Sequence, residues 1–219
     1  MDGHTFVAEL DRENHELLRR LAPAQALTGE SGGDLSTTTL LRIALKNEIE
    51  ASEIAALWMA AAGDIELKLG LARQAGDEAK HYRLIEERLR ELGDNLAGFN
   101  PLGEGYSPLF NFLRGLPTDV ERVAAGQFTR EAIALVKNTQ FIELCERAGD
   151  SPTARLYREV IQVDERFHHE MGAKFLSQLA FDAPSQALAR AARSRTLELA
   201  EELQTLAYRK KKIHHAPGC

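Results

Sequence analysis

The sequence predicts an all-α fold: a four-helix bundle with one long crossover, flanked by an N-terminal helix and a C-terminal fifth helix. Three observations support this prediction. Ala, Leu, Glu and Arg, which favour helices, dominate the 219 residues. Four long segments repeat apolar residues at helical spacing. Short turns containing glycine join these segments in pairs, and one long stretch rich in glycine and proline separates the pairs.

The elements follow in order from their start and stop signals. A first helix is predicted over residues 4–21, and it stops before Pro23 because proline cannot continue a helix. Several glycines in residues 29–34 predict a flexible connection. Ser36 is a suitable cap for a long helix over residues 38–62.

A tight turn and then a crossover come next. The long helix breaks at Gly63, and Asp64 is a suitable cap for the following helix, which we expect to end at Gly93. Residues 93–117 contain several glycines and prolines, so a regular helix throughout is not expected there. This stretch is long enough to cross the full length of a bundle.

The second half of the bundle also begins with clear caps. Thr118 and Glu121 form a capping box that opens a third helix, and Gly149 closes that helix. We expect Ser151 to cap a fourth helix that has Pro152 at its first position and continues to about residue 179. The four helices therefore have similar lengths, as a bundle requires.

The connections predict the topology and the division of the chain. Short turns make the first two helices antiparallel, and likewise the last two, while the long crossover allows the third helix to run parallel to the second. A fifth helix is predicted over residues 186–211. We assign residues 1–35 to an N-terminal helix and linker, residues 36–180 to the bundle, and residues 181–219 to a C-terminal helix and basic tail.

Two Glu-x-x-His pairs carry the functional signal. Glu78 and His81 lie in the second predicted helix, and Glu165 and His168 lie in the fourth. Residues three apart share a helix face, so each pair can direct a carboxylate and an imidazole to one point. The composition predicts about 0.7 such pairs by chance, so a single pair would carry little weight. We interpret the two pairs as candidate metal ligands.

Each half of the bundle also contains an earlier glutamate at a matching level. Across the antiparallel turns, Glu48 lies level with the first pair and Glu131 within half a turn of the second. Glu50 remains an alternative to Glu48 as the ligand from the first helix. The halves thus repeat one pattern, a single glutamate followed by a Glu-x-x-His pair.

These carboxylates interrupt apolar helix faces, where an unpaired charge costs several kcal/mol. Four inward carboxylates carry about −4 charges, which two divalent cations would neutralise. Oxygen-rich ligation with one imidazole per metal favours iron or manganese over structural zinc.

The helical spacing predicts which residues face inward on three of the helices. These predicted inward faces are Leu67, Leu71, Gln74, Glu78, His81, Ile85 and Leu89; Phe128, Glu131, Leu135, Asn138 and Ile142; and Ile161, Glu165, His168, Gly172, Phe175 and Leu179.

The pattern over residues 36–180 resembles the ferritin-like dimetal carboxylate proteins, in which two helices give one Glu each and two others give Glu-x-x-His. The spacing from Glu48 to Glu78 and His81 is similar to that of the rubrerythrin-like branch. The resemblance implies a di-iron centre, with manganese as an alternative at one or both positions. It assigns single carboxylate ligands to Glu48 and Glu131, bridging carboxylates to Glu78 and Glu165, and terminal imidazoles to His81 and His168.

Two features depart from rubrerythrins. Ala134 stands where those proteins have a further glutamate, three residues after Glu131, and a Cys-x-x-Cys rubredoxin domain is absent from the sequence. A centre of this kind would therefore receive its electrons from a separate reductase or ferredoxin.

The resemblance implies an oxidoreductase that uses dioxygen or peroxide to oxidise or hydroxylate a small organic substrate. The alternatives are ferroxidase or iron handling, and a metal-stabilised helical module that binds a partner without catalysis. We expect a homodimer for the enzyme. A large cage would instead indicate iron storage, although the two extra helices would have to be accommodated in a closed shell.

Composition excludes other classes of function. A net charge of −6 and a pI near 5.7 give no electrostatic reason to bind nucleic acid or an anionic membrane. The sequence has no long apolar run for a membrane span, and its N-terminal residues do not form a signal peptide. Two cysteines are too few for a disulfide framework, which predicts a reducing, cytoplasmic location.

Several other residues have two interpretations. Gly172 lies one turn after His168, where it either leaves space for substrate or dioxygen or allows close helix packing. His169 points away from His168, so we expect it at the surface or behind the ligands. Tyr157 is either core packing or part of an electron relay. Phe128 and Leu135, one turn on either side of Glu131, are candidates for the wall of an apolar pocket.

Overall fold

The computed structural model describes residues 1–21 and 36–211, with side chains for residues 1–18 and 36–202. Every regular element in these ranges is helical, which confirms the all-α prediction. The elements are α1 (Gly3–Leu21), α2 (Thr37–Ala61), α3 (Ile65–Glu91), α4 (Pro108–Arg114), α5 (Asp119–Val123), π1 (Ala124–Arg130), α6 (Glu131–Arg147), α7 (Ser151–Leu156), π2 (Tyr157–Ile161), α8 (Gln162–Leu179) and α9 (Ala183–Lys211).

Most helix starts agree with the sequence signals. The Asp64 carboxylate accepts a hydrogen bond from Leu67 N at 2.9 Å, and Thr118 and Glu121 form the predicted capping box. The predicted cap at Ser151 is wrong. Asp150 is the cap instead, because its backbone is not helical and its Oδ1 accepts a hydrogen bond from the amide of the third helical residue at 3.1 Å.

Helix α9 begins at Ala183, three residues before the predicted start. Proline is tolerated in the first turn of a helix, because the N–H that it lacks would have no partner there. The Asp182 carboxylate accepts a hydrogen bond from Ser185 N at 2.9 Å and stabilises this earlier start. The described part of the chain does not include the side chains of the basic run at 209–212, His214, His215 or Cys219.

The crossover between α3 and α5 is irregular apart from the short helix α4. Gly93 ends α3 with φ 87°, a conformation that favours glycine. Two glutamates of α2 hold the crossover. Glu50 accepts hydrogen bonds from Ser107 N at 2.8 Å and Ser107 Oγ at 2.6 Å, and Glu53 Oε2 accepts one from the Tyr106 hydroxyl at 2.8 Å.

Paired contacts at two levels give the helix directions. Helices α2 and α3 are antiparallel, since the Ser52 hydroxyl donates to the Ala75 carbonyl at 2.8 Å and Lys68 donates to the Met59 carbonyl at 3.0 Å. The third and fourth long segments, 119–147 and 151–179, are also antiparallel. Their contacts are from the Gln162 amide to the Leu135 carbonyl and from the His169 ring to the Phe128 carbonyl.

The two pairs meet along α3 and α8, which are also antiparallel, because Asp77 lies level with His168, and His81 lies level with Asp164. Helix α3 and the third segment therefore run in the same direction. All seven residues predicted for the inward face of α3 are buried. On the other two predicted inward faces every residue is buried except Leu135 and Leu179, which are half-buried.

A polar layer divides the core. One apolar cluster contains Leu67, Leu71 and Phe128, and another contains Ile85, Leu89 and Ile161. Buried Gln74, Glu78 and His81 of α3 lie between them along the helix. Both terminal helices contribute to the first cluster, α1 with Phe6 and Leu10 and α9 with Ala189 and Leu199. The division at residues 35 and 180 stays a prediction.

Three glycines inside helices mark close approaches between helices. A Cβ atom on Gly172 would lie 2.5 Å from the carbonyl carbon of Gln127 and 2.7 Å from Phe128 N. A Cβ on Gly70 would collide with the Met171 sulfur, and one on Gly126 with the Trp58 ring. Close helix packing therefore accounts for Gly172. Among the described residues, no helix is both long and apolar enough to cross a membrane.

Candidate metal centre

The structure brings the six predicted ligand side chains together in the polar layer of the core. None of them is more than 3% exposed. Their ligand atoms form two overlapping groups, and within each group all the atoms lie within 4.8 Å of one another. The first group is Glu48, Glu78, His81 and Glu165, and the second is Glu78, Glu131, Glu165 and His168.

Glu78 and Glu165 belong to both groups, as residues that bridge two cations would. His81 Nδ1 lies 3.2 Å from Glu78 Oε2 and 3.4 Å from Glu48 Oε2. His168 Nδ1 lies 3.3 Å from Glu165 Oε2 and 3.5 Å from Glu78 Oε1. Both imidazoles therefore present Nδ1 to the carboxylates.

Two aspartates that the sequence analysis missed hold the imidazoles from behind. His81 Nε2 donates to Asp164 at 3.1 Å, and His168 Nε2 donates to Asp77 at 3.3 Å. Each aspartate comes from the helix opposite its histidine. With the proton on Nε2, the lone pair of Nδ1 is available to a cation.

A signal for these aspartates was present in the sequence. Each one directly precedes the glutamate of a Glu-x-x-His pair, so the repeated motif is Asp-Glu-x-x-His. The hydrogen bond to His168 is also the main reason that the pKa of Asp77 falls to about 2.

Burial and the neighbouring charges raise the pKa values of several side chains of the cluster, which favours their protonated forms. Burial raises the pKa of Glu48 to about 7. Burial, with the charges of Glu78 and Glu131, raises the pKa of Glu165 well above its usual value. For His81, burial would lower the pKa, but contacts with Glu48 and Glu78 outweigh it and raise the pKa to about 12. Cations that displaced these protons would balance the same carboxylates.

Glu131 has a distinct environment. Its Oε1 accepts hydrogen bonds from Gln74 Nε2 at 2.8 Å and Arg130 Nη1 at 3.0 Å. Its Oε2 is buried and has no hydrogen-bond partner in the part of the chain that the structure describes. A buried carboxylate oxygen without a donor is costly. Glu131 belongs to the second group, so a cation bound there could take this oxygen as a ligand. The donor set and this oxygen both fit a dimetal site.

The segments that precede Glu131 and Glu165 are π-helical, which the sequence did not predict. Segment π1 ends at Arg130, directly before Glu131, whose backbone N–H donates to the Gly126 carbonyl five residues earlier. Segment π2 ends four residues before Glu165. The wider π turn changes which residues face inward, and such turns occur often at functional sites.

The remaining candidates lie outside the two groups. Glu50 binds the crossover, so Glu48 is the glutamate of α2 that joins the cluster. His169 is half-buried behind the ligands, where its ring donates to the Phe128 carbonyl at 2.9 Å. Tyr157 is fully buried and packs edge to face against Phe141. Cys145 is buried in the core.

The expected pocket wall is only partly present. Phe128 is buried and stacks on the His169 ring, with 5.2 Å between ring centroids. These two residues also line a surface cleft of about 480 Å³, together with Asp11 of α1. Leu135 does not line this cleft.

Comparisons with known proteins give a limited match. No family model matches the chain, and no solved structure matches it. The chain is similar to the 3-demethoxyubiquinol 3-hydroxylase of Aromatoleum aromaticum, with 34% identity over 76 residues. The match covers 35% of this chain and 37% of that protein, little more than a third of either. Part of this chain is thus similar to part of a hydroxylase, and the buried carboxylate and histidine cluster suggests a metal centre.

Proposed function

We propose that this protein is a ferritin-like, non-haem di-iron or mixed manganese–iron oxidoreductase that oxidises or hydroxylates a small organic substrate. The observation that carries the proposal is the convergence of four buried carboxylates and two buried imidazoles in two groups that share Glu78 and Glu165. The antiparallel pairs of helices and the parallel run of α3 and α6 support a four-helix bundle with one crossover.

The donor set favours iron or manganese. Four carboxylates and two imidazoles are an oxygen-rich set, whereas structural zinc sites usually contain cysteine or several histidines. Two divalent cations would balance the four carboxylates of the groups. Lys80, which contacts Asp77 and Asp164, offsets part of the aspartate charge behind the imidazoles.

The chain itself holds, orients and encloses such a centre. Glu48 and His81 would hold one cation, Glu131 and His168 the other, and the two shared glutamates both. Asp77 and Asp164 fix the orientation of the imidazole rings. Apolar clusters above and below the polar layer exclude water. When bound, an iron or manganese pair would supply the electrons that reduce dioxygen or peroxide.

Hydroxylation by this route needs a reductant. Dioxygen, two electrons and two protons convert a C–H bond to C–OH and release one water, so a separate reductase or ferredoxin would supply the two electrons. The name of the similar protein, a hydroxylase, favours this reaction over iron storage. The homodimer and the cytoplasmic location remain predictions.

Metal analysis tests the proposal directly. Metal-free protein loaded anaerobically with Fe²⁺ should retain two ions per chain after desalting, and it should consume dioxygen when a reductant is present. Glu78→Ala should lose both ions, because Glu78 belongs to both groups. Glu86→Ala is the matched control, since Glu86 pairs at the surface of the same helix with Arg83 and Arg90.

The outcomes separate the candidate functions. Wild-type protein that retains no transition metal would overturn the proposal. Two ions without dioxygen consumption would indicate a structural metal centre. Rapid uptake of many Fe²⁺ ions per chain by a large cage on size exclusion would indicate iron handling instead of oxidation of an organic substrate.

A further inference from the structure

The two halves of the candidate centre repeat one pattern but have different neighbours. Four residues before the glutamate of each Glu-x-x-His pair stand Gln74 and Ile161. Four residues before each single glutamate stand Ala44 and Gln127. Ala44 and Ile161 belong to one apolar cluster, whereas Gln74 and Gln127 are buried polar residues. The surroundings are thus apolar on the Glu48 side and polar on the Glu131 side.

Two polar side chains donate to Glu131 Oε1. Gln127 Nε2 donates to Gln74 Oε1 at 3.0 Å, which orients the Gln74 amide so that its nitrogen donates to Glu131 Oε1 at 2.8 Å and, at the longer distance of 3.4 Å, to Glu78 Oε1. Arg130 Nη1 also donates to Glu131 Oε1. Among the described residues, none donates to the other carboxylate oxygen, Glu131 Oε2. The positive charge of Arg130 also lies next to the cation position that Glu131 would serve.

Within residues 1–18 and 36–202, Glu48 has no donors comparable to Gln74 and Arg130. Its ion-pair contact there is with a member of its own group, at 3.4 Å from His81 Nδ1. Both of its carboxylate oxygens are therefore available to a cation. Among the side chains that the structure describes, no arginine forms an ion pair with Glu48, whereas Arg130 pairs with Glu131.

We infer that the two cation positions are unequal, and that the position formed by Glu131 and His168 binds its cation second and more weakly than the position formed by Glu48 and His81. Gln74 and Arg130 are the positioning residues that weaken it, because both donate to Glu131 Oε1. This inference rests on the proposed dimetal centre. A hydrogen bond to a charged group changes a binding constant by roughly tenfold or more.

Two binding steps in the wild type would not suffice as a test, because one cation repels a second even in a symmetric site. The test therefore compares variants that each spoil one position. Mn²⁺ is titrated into metal-free protein by calorimetry. Glu131→Ala, which leaves the Glu48 position, should bind its ion at least about tenfold more tightly than Glu48→Ala, which leaves the Glu131 position. Equal dissociation constants, or the reverse order, would overturn the inference.

A second variant keeps every ligand. Arg130→Met should tighten the second Mn²⁺ step several-fold and leave the first nearly unchanged. Arg88→Met is the matched control, since Arg88 is also a shielded arginine in an ion pair, with Asp150, but lies outside the centre. An unchanged second step in Arg130→Met would overturn the role of Arg130. Circular dichroism establishes that each variant is folded.

The same titration separates this inference from the proposed function. Wild-type protein that binds no Mn²⁺ would overturn the dimetal centre itself and the inference with it. Wild-type protein that binds two ions, with equal constants in the two ligand variants, would overturn only the inequality.

Discussion

Gly172→Ala should destabilise the protein even though alanine is the better helix former. Alanine in a helix interior gains about 1 kcal/mol over glycine. Against this gain, the new Cβ would lie 2.5 to 2.7 Å from three backbone atoms of Gln127 and Phe128, none of which can rotate away. Helix α8 and segment π1 would have to separate, and overpacking of this kind costs about 1–3 kcal/mol. We take the upper value because the contacts are with backbone, so the net loss is about 2 kcal/mol.

Thermal unfolding measures the effect. For a chain of this size, about 2 kcal/mol lowers Tm by roughly 4–8 °C. Gly76→Ala is the matched control, because Gly76 lies in α3 and its added Cβ would meet no atom within 4 Å. That variant should gain about 1 kcal/mol and melt roughly 2–4 °C higher. The packing explanation is wrong if Gly172→Ala melts at or above the wild-type temperature while Gly76→Ala behaves as expected.

Three further predictions follow from the site and its surroundings. Glu50→Ala should lower the free energy of unfolding by about 1–3 kcal/mol, because it removes the acceptor that holds the crossover. The variant should still retain two metal ions by elemental analysis, and loss of metal would make Glu50 a ligand. In Cys219→Ser protein, the remaining thiol of Cys145 should react with Ellman's reagent at pH 8 only after denaturation, because burial raises its pKa to about 12 and keeps it protonated; rapid reaction in the folded protein would contradict this. Asp77→Asn should weaken metal binding by about 10- to 100-fold, because it removes the charge that fixes the His168 ring, and unchanged affinity in calorimetry would refute that role.

The sequence predicted those features that depend on local spacing. The inward face of α3 follows from a period of 3.6 residues, and all seven predicted positions are buried. The capping box at Thr118 and the turn at Gly93 also follow from local chemistry. The levels of Glu48 and Glu131 relative to the two Glu-x-x-His pairs could be predicted from the helix rise and the two short turns alone.

Other features depend on contacts between segments distant in sequence. The π1 and π2 turns have no sequence signature comparable to a helix cap, because tertiary packing selects them. The pairing of Asp77 with His168 needs the relative position of α3 and α8. The donation of Gln74 to Glu131 likewise needs the level of α3 against α6, which a crossover of this length does not fix.

One helix contact connects packing to the candidate centre. Helix α8 contributes His168 as a candidate ligand, His169 as a donor to the Phe128 carbonyl, and Gly172 as a point of close approach to π1. Because Glu131 directly follows π1, the contact that positions π1 also positions Glu131. In the other half, Glu48 lies in a regular α-helix whose neighbouring glutamates hold the crossover. A substitution that disturbs the packing of α8 against π1 should therefore weaken metal binding at the Glu131 position more than at the Glu48 position, although both positions lie in one polar layer.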